Sequence, residues 1–204
     1  MKSPAEIKFD NILKHGFYET LKPLGFKKQG NNFYRQKDGI GYIINLQKSV
    51  FYSKDHIRFT INTGIFLPEF WLEYFKRAKK ILPAFPAESE CILRKRIGSL
   101  RNKKDIWYEV KAKTDEGALT EEMKKNLNKY ILSHFGRILT KNALVKILDQ
   151  EKTESIPLEK LIVFGELGHK GKVKTEFRKL LAEEGKNPVF LDSIQYYGKK
   201  YDLL

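Results

Sequence analysis

Glu109-Val-Lys111 is the spacing in this chain that comes nearest to catalytic chemistry. With Glu88, Glu90 or Asp105 upstream, a carboxylate followed by E-x-K at a strand end can hold a divalent metal on oxygen ligands. It also sets a lysine beside an attacked phosphate, as in restriction-type nucleases. The pattern is weak evidence in a chain rich in Lys and Glu, and it recurs at Glu6-Ile-Lys8 and Glu122-Met-Lys124. A metal-dependent nuclease at Glu109 and Lys111 is therefore the third of three readings. The four histidines, His15, His56, His134 and His169, share no metal-ligand spacing and are expected near helix ends or in turns. The chain has no G-x-S-x-G elbow, phosphate loop, dinucleotide fingerprint or cysteine nucleophile with an evident histidine partner. These exclusions favour a protein without catalytic residues, metal or cofactor.

Binding chemistry is more legible. The stretch NLQKSVFYSKDHIRFTINTGI, from Asn45 to Ile65, alternates with a period of two and reads as two strands and a connection. A four-residue loop at Tyr52 to Asp55 pairs Phe51 with His56 and makes facing residue numbers sum to 107. One face then holds Leu46 opposite Ile61, Val50 opposite Ile57 and Lys48 opposite Phe59, continuing to Ile44 and Thr63, and is the core side. The other holds Asn45 opposite Asn62, Gln47 opposite Thr60 and Ser49 opposite Arg58. Antiparallel sheets commonly wet one face, which accounts for polar residues there. Asn is nonetheless a poor strand former, and two in facing positions point to selected hydrogen-bonding groups. Arg94 and Arg96 share a face of their own strand, as do Trp107, Glu109 and Lys111. Aligned, these strands give a candidate partner-binding face of Asn45, Gln47, Thr60, Asn62, Arg94, Arg96, Trp107 and Lys111.

The elements that must position this face follow from periodicity. A helix is predicted over about Ala5 to Leu21, with Ser3 as N-cap, Pro4 at the first helical position and Ile7, Phe9, Ile12, Leu13, Phe17 and Leu21 as its apolar face. Phe26 to Lys28 and Asn32 to Gln36 read as a short hairpin across QGNN, ahead of the longer one. PEFWLEYFKRAKKIL restores helical spacing, stopped by Pro83 and Pro86. Two further strands, Cys91 to Ile97 and Ile106 to Ala112, flank the turn GSLRNKK as a hairpin. From Leu119 onward only helical periodicity remains: Leu119 to Phe135, Lys141 to Gln150, Leu158 to Leu167, Val173 to Glu184 and a last helix after Pro188. The expected class is α+β, an antiparallel sheet with flanking helices followed by an all-helical C-terminal region. The expected division is an α+β domain over residues 1–115 and a helical extension over 116–204.

Charge narrows the partner. The 204 residues carry a net +14, with 23 Lys+Arg against 11 Asp+Glu in residues 1–113 and 16 against 14 thereafter. Such an excess fits an acidic protein or nucleic acid. Two basic runs, residues 76–80 and 94–104, would bind phosphate if they converged, through Arg94, Arg96, Arg101, Lys103 and Lys104, and this is the second reading. No apolar run is long enough for a bilayer span, and MKSPAEIKFD has no stretch to serve as a signal peptide, so a cytoplasmic protein without membrane contact is expected. The single Cys91 reads as a buried small hydrophobe.

LKPLGFKKQGNNFYR, INLQKS, FTINTGI, RKRIGSL and DIWYEV occur in the order and approximate spacing of a bacterial family known as domain of unknown function 4304. The resemblance covers about residues 5–115. It implies a small bacterial cytoplasmic α+β domain with no assigned activity. Families of this size and type include immunity proteins that neutralise toxins, so it also implies a toxin as one candidate partner. The leading expectation is a non-enzymatic module that binds an acidic protein.

Overall fold

The computed structural model describes residues 1–51, 53–151, 158–184 and 187–204. From the N-terminus, α1 (Pro4–Leu13) runs through a π-helical stretch (Lys14–Tyr18) into α2 (Glu19–Leu21), followed by the strands β1 (Lys27–Gln29), β2 (Asn32–Lys37), β3 (Ile40–Lys48) and β4 (His56–Phe66). The chain continues through α3 (Pro68–Tyr74), β5 (Leu93–Arg96), α4 (Ile97–Leu100), β6 (Tyr108–Lys111), α5 (Glu116–Asn126) and α6 (Ser133–Gly136). It ends in α7 (Lys141–Gln150), α8 (Glu159–Glu166), α9 (Lys170–Glu184) and α10 (Pro188–Lys200). Two compact units result. The first holds Met1–Phe66 and Ala84–Leu139, the second Leu67–Pro83 and Thr140–Leu204. Residues 116–139 thus group with the sheet, and α3 groups with the C-terminal helices. No helix among the described residues is long and apolar enough to cross a membrane.

The first unit is a six-stranded antiparallel sheet in the order β1-β2-β3-β4-β5, with β6 also on β4. Local chemistry sets its start and its turns. Ser3 Oγ accepts from Glu6 N while Ser3 N donates to a Glu6 carboxylate oxygen, a capping box with Pro4 at the first helical position. Asp38 and Gly39, both at positive φ, form the two-residue turn that joins β2 to β3. In β3 and β4 the pairing of Asn45 with Asn62, Gln47 with Thr60 and Lys48 with Phe59 is the predicted register. Alternate residues face the helices and are buried: Ile44, Leu46, Ile57, Phe59 and Ile61. Phe9 of α1 meets Phe59 edge-on at 5.2 Å, Phe17 stacks on Phe33 at 5.9 Å, and Tyr42 and Phe135 lie 5.2 Å apart. Truncating a ring such as Phe59 in this layer costs about 3–5 kcal/mol.

Three expectations need correction. Val50 is 86 % exposed instead of facing Ile57, because the ladder leaves its register after Ser49 and resumes with Ser53 opposite His56. Two residues, Val50 and Phe51, are thereby looped out beyond the sheet; Tyr52 of the predicted loop lies outside the described residues. Ile7 is half exposed, since it turns away from the sheet while Phe9, Ile12 and Leu13 turn toward it. Finally, β5 and β6 do not pair with each other. Both run antiparallel to β4, β5 along Asn62 to Ile65 and β6 along His56 to Phe59, so they form one interrupted strand. The segment GSLRNKK is an excursion out of that strand, opened by α4 and closed where Lys103 N donates to Gly98 O.

Within the second unit, α8 and α9 form a helical hairpin, turned at Gly168 with φ 74°. Its half-buried polar centre is Lys200, held between the carboxylates of Glu73 and Glu166, with Tyr201 donating to Glu166 at 2.8 Å.

Candidate functional site

The antiparallel registers place one row of side chains across four strands: Asn32 beside Asn45, Asn45 beside Asn62, Asn62 beside Arg96. The amides in this row bond to each other. Asn45 Nδ2 donates to Asn32 Oδ1 at 2.7 Å, and Asn62 Nδ2 donates to Asn45 Oδ1 at 3.2 Å and to Gln47 Oε1 at 2.9 Å. Arg96 Nη2 adds a 3.4 Å contact to the same Gln47 oxygen. An asparagine disfavoured by strand propensity is compensated here by cross-strand hydrogen bonds, each worth about 1 kcal/mol net.

All eight predicted residues lie on the face of the sheet away from α1. They differ in accessibility. Gln47, Arg94 and Arg96 are exposed, while Asn45, Trp107 and Lys111 are half-buried. Thr60 is fully buried and Asn62 is 5 % exposed, so these two form the floor. The far end of the same face is roofed by the segment after Ala84: Phe85 packs on Tyr34 at 5.5 Å, and Cys91, buried as expected, sits against Gly64.

Trp107 is fixed from three directions. Its Nε1 donates to Asp105 at 3.0 Å, and the guanidinium groups of Arg58 and Arg96 stand 5.7 and 5.8 Å from its ring. Arg96 also donates to Asp105 at 2.7 Å, and Arg94 makes a two-pronged pair with Glu88, both bonds 2.9 Å. Sequence reasoning missed Asn32, Glu88 and Asp105 as parts of this face, and it placed Arg58 there without giving it a role beside Trp107. Asn32 was legible only with the β2 register, and the two carboxylates reach their arginines from outside the strands, Glu88 from a short 3-10 helix and Asp105 from irregular backbone.

Glu109 and Lys111 form an ion pair at 3.0 Å, and the Glu109 carboxylate also faces His56 Nε2 at 3.1 Å and Arg58 Nε at 3.5 Å. The hydrogen bond from Lys111, with His56 helping and partial desolvation opposing, holds its carboxyl below the usual range. Two cationic side chains and an imidazole around one carboxylate are the reverse of a divalent-metal site, and among the described residues no group of three His, Cys, Asp or Glu could hold a metal ion. As placed, the Glu109 carboxylate is taken up by its neighbouring side chains.

The basic runs fall in different compact units, 76–80 in the second and 94–104 in the first. Within the latter, Arg101 is turned inward: its Nη1 donates to Glu122 at 3.2 Å and Asn126 at 3.3 Å. Lys103 and Lys104 are exposed.

No curated protein and no solved structure matches the chain. A family model does, and its match from residue 17 to residue 137 takes in every strand, the amide row, Trp107 and the helices α5 and α6. The chain therefore belongs to the family described as Domain of unknown function (DUF4304).

Proposed function

We propose that the chain is a bacterial cytoplasmic, non-enzymatic module that docks an acidic protein on the outer face of its sheet. The observation that carries this reading is Trp107, half-exposed and held between Arg58 and Arg96 by Asp105. Trp and Arg are the side chains that most often anchor protein interfaces, and an anchor already fixed loses little freedom on binding. The first unit holds 23 Lys+Arg against 13 Asp+Glu, a net of +10, which would steer an acidic partner toward it. A toxin is one such partner.

Nucleic-acid binding is the competing reading. It loses support from the pairing of Arg94, Arg96 and Arg101 with Glu88, Asp105 and Glu122. The test is affinity capture on immobilised wild-type chain and on Trp107→Ala, at low and near-physiological salt, beside fluorescence anisotropy with labelled single-stranded and duplex oligonucleotides. A protein partner should be retained at the higher salt and lost with Trp107→Ala. Submicromolar oligonucleotide binding that persists at near-physiological salt, without such a partner, would replace this reading with the second.

A further inference from the structure

The amide row has a direction, and it ends unfinished. Asn32 Oδ1 receives Asn45, and Asn45 Oδ1 receives Asn62, but Asn62 Oδ1 is buried and receives no donor. Asn62 opens onto a groove of about 210 Å³ lined also by Gln47, Glu88, Arg94, Lys95 and Arg96. Gln47 Oε1 is occupied by Asn62 and Arg96, which leaves its Nε2 as a donor at the rim. Floor and rim together offer one acceptor and one donor, the complement of an amide group. A carboxylate fits less well despite the nearby arginines. It has no proton for Asn62 Oδ1, Glu88 already binds Arg94 through both oxygens, and Asp105 holds Arg96.

We infer that this groove is an amide-binding subsite, with Asn62 Oδ1 accepting the N–H of a partner's amide and Gln47 Nε2 donating to its carbonyl; the inference rests on the sheet-face reading above. The incoming amide continues the row by one rung. It comes from an Asn or Gln side chain or from exposed main chain, and it satisfies the acceptor that folding leaves buried.

The test follows the side-chain amide resonances of Asn62 and Gln47 in the ¹⁵N-labelled full chain during titration with acetamide, N-methylacetamide and acetate. The expected result is a saturable shift with one of the amides, acetamide marking a side-chain source and N-methylacetamide a main-chain source, and none with acetate. Gln47→Glu keeps the oxygen that Asn62 uses, lies on the exposed rim and removes the donor. Amide affinity should fall roughly tenfold in it while the unfolding transition stays in place. Saturation by acetate instead, no saturation by either amide, or unchanged amide affinity in Gln47→Glu would overturn the subsite. Partner capture separates this failure from the other: dependence on Trp107 without dependence on Gln47 removes the subsite and leaves the face, whereas dependence on neither removes both.

Discussion

At the scale of single residues, the chemistry of this face is decided by which charges find each other. Glu109 reads in sequence as a metal ligand with a neighbouring lysine, yet Lys111, His56 and Arg58 all turn to its carboxylate. Its carboxyl is held low chiefly by the hydrogen bond with Lys111. The sign follows: a depressed folded pKa stabilises the fold fully above the ordinary carboxylate range, and the contribution is lost as pH falls through the folded value. We expect Lys111→Met to raise the Glu109 titration midpoint, followed by carboxyl ¹³C NMR, toward that of an ordinary glutamate. Added Mg²⁺ should leave the Glu109 resonance where it is, because a divalent ion would have to displace Lys111 and Arg58 from its carboxylate. A saturable Mg²⁺ shift would instead restore the nuclease reading.

At the scale of elements, the interrupted strand is what places Trp107 next to Arg96. The long strand β4 offers one edge to both β5 and β6, and the excursion between them must close tightly for the second to resume on the same edge. Gly98 permits that closure: a Cβ there would stand 2.3 Å from Lys104 O, a backbone atom that cannot swing aside. We expect Gly98→Ala to destabilise the first unit by about 1–3 kcal/mol, in the manner of overpacking, and to shift Trp107 fluorescence. An unchanged emission spectrum in a Trp71→Phe background would show that the excursion does not set the ring. The same elements show what sequence could carry. The faces of β3 and β4 were legible because period-two alternation puts Leu46, Ile61 and Phe59 on one side, and a short connection between the strands limits the registers that keep them there. That logic stopped at Val50 and Phe51, which have strand propensity but no layer above them to be buried against. It also misread GSLRNKK as a hairpin turn, since its turn-forming residues do not reveal that one neighbouring strand is long enough to pair with both flanks.

At the scale of the whole molecule, the two units carry different alkaline liabilities, and each has its own reporter. Tyr108 in the first unit is raised above the ordinary phenol pKa by burial and by Glu122, against the opposing pull of Arg101 and Asn126. Tyr201 in the second is pushed up far more, by burial and by its hydrogen bond to the Glu166 carboxylate, with Glu73 adding to it. A phenol with a raised folded pKa keeps its proton where the unfolded chain would lose it. Its contribution to stability is therefore complete below the unfolded value near 10 and declines as pH rises from there through the folded value. Trp107 reports the first unit and Trp71, buried in α3, the second. In single-tryptophan variants we expect unfolding midpoints in urea to fall above pH 10 in both signals, since burial also raises Tyr34 and Tyr42 in the first unit. Tyr201→Phe should flatten the Trp71 dependence, at the cost of the hydrogen bond to Glu166 at neutral pH, and Tyr108→Phe should remove only part of the Trp107 dependence, Tyr34 and Tyr42 carrying the rest. A pH dependence in the Trp71 signal that survives Tyr201→Phe would mean that its alkaline liability lies elsewhere, with the Glu73, Glu166 and Lys200 cluster as the next group to titrate.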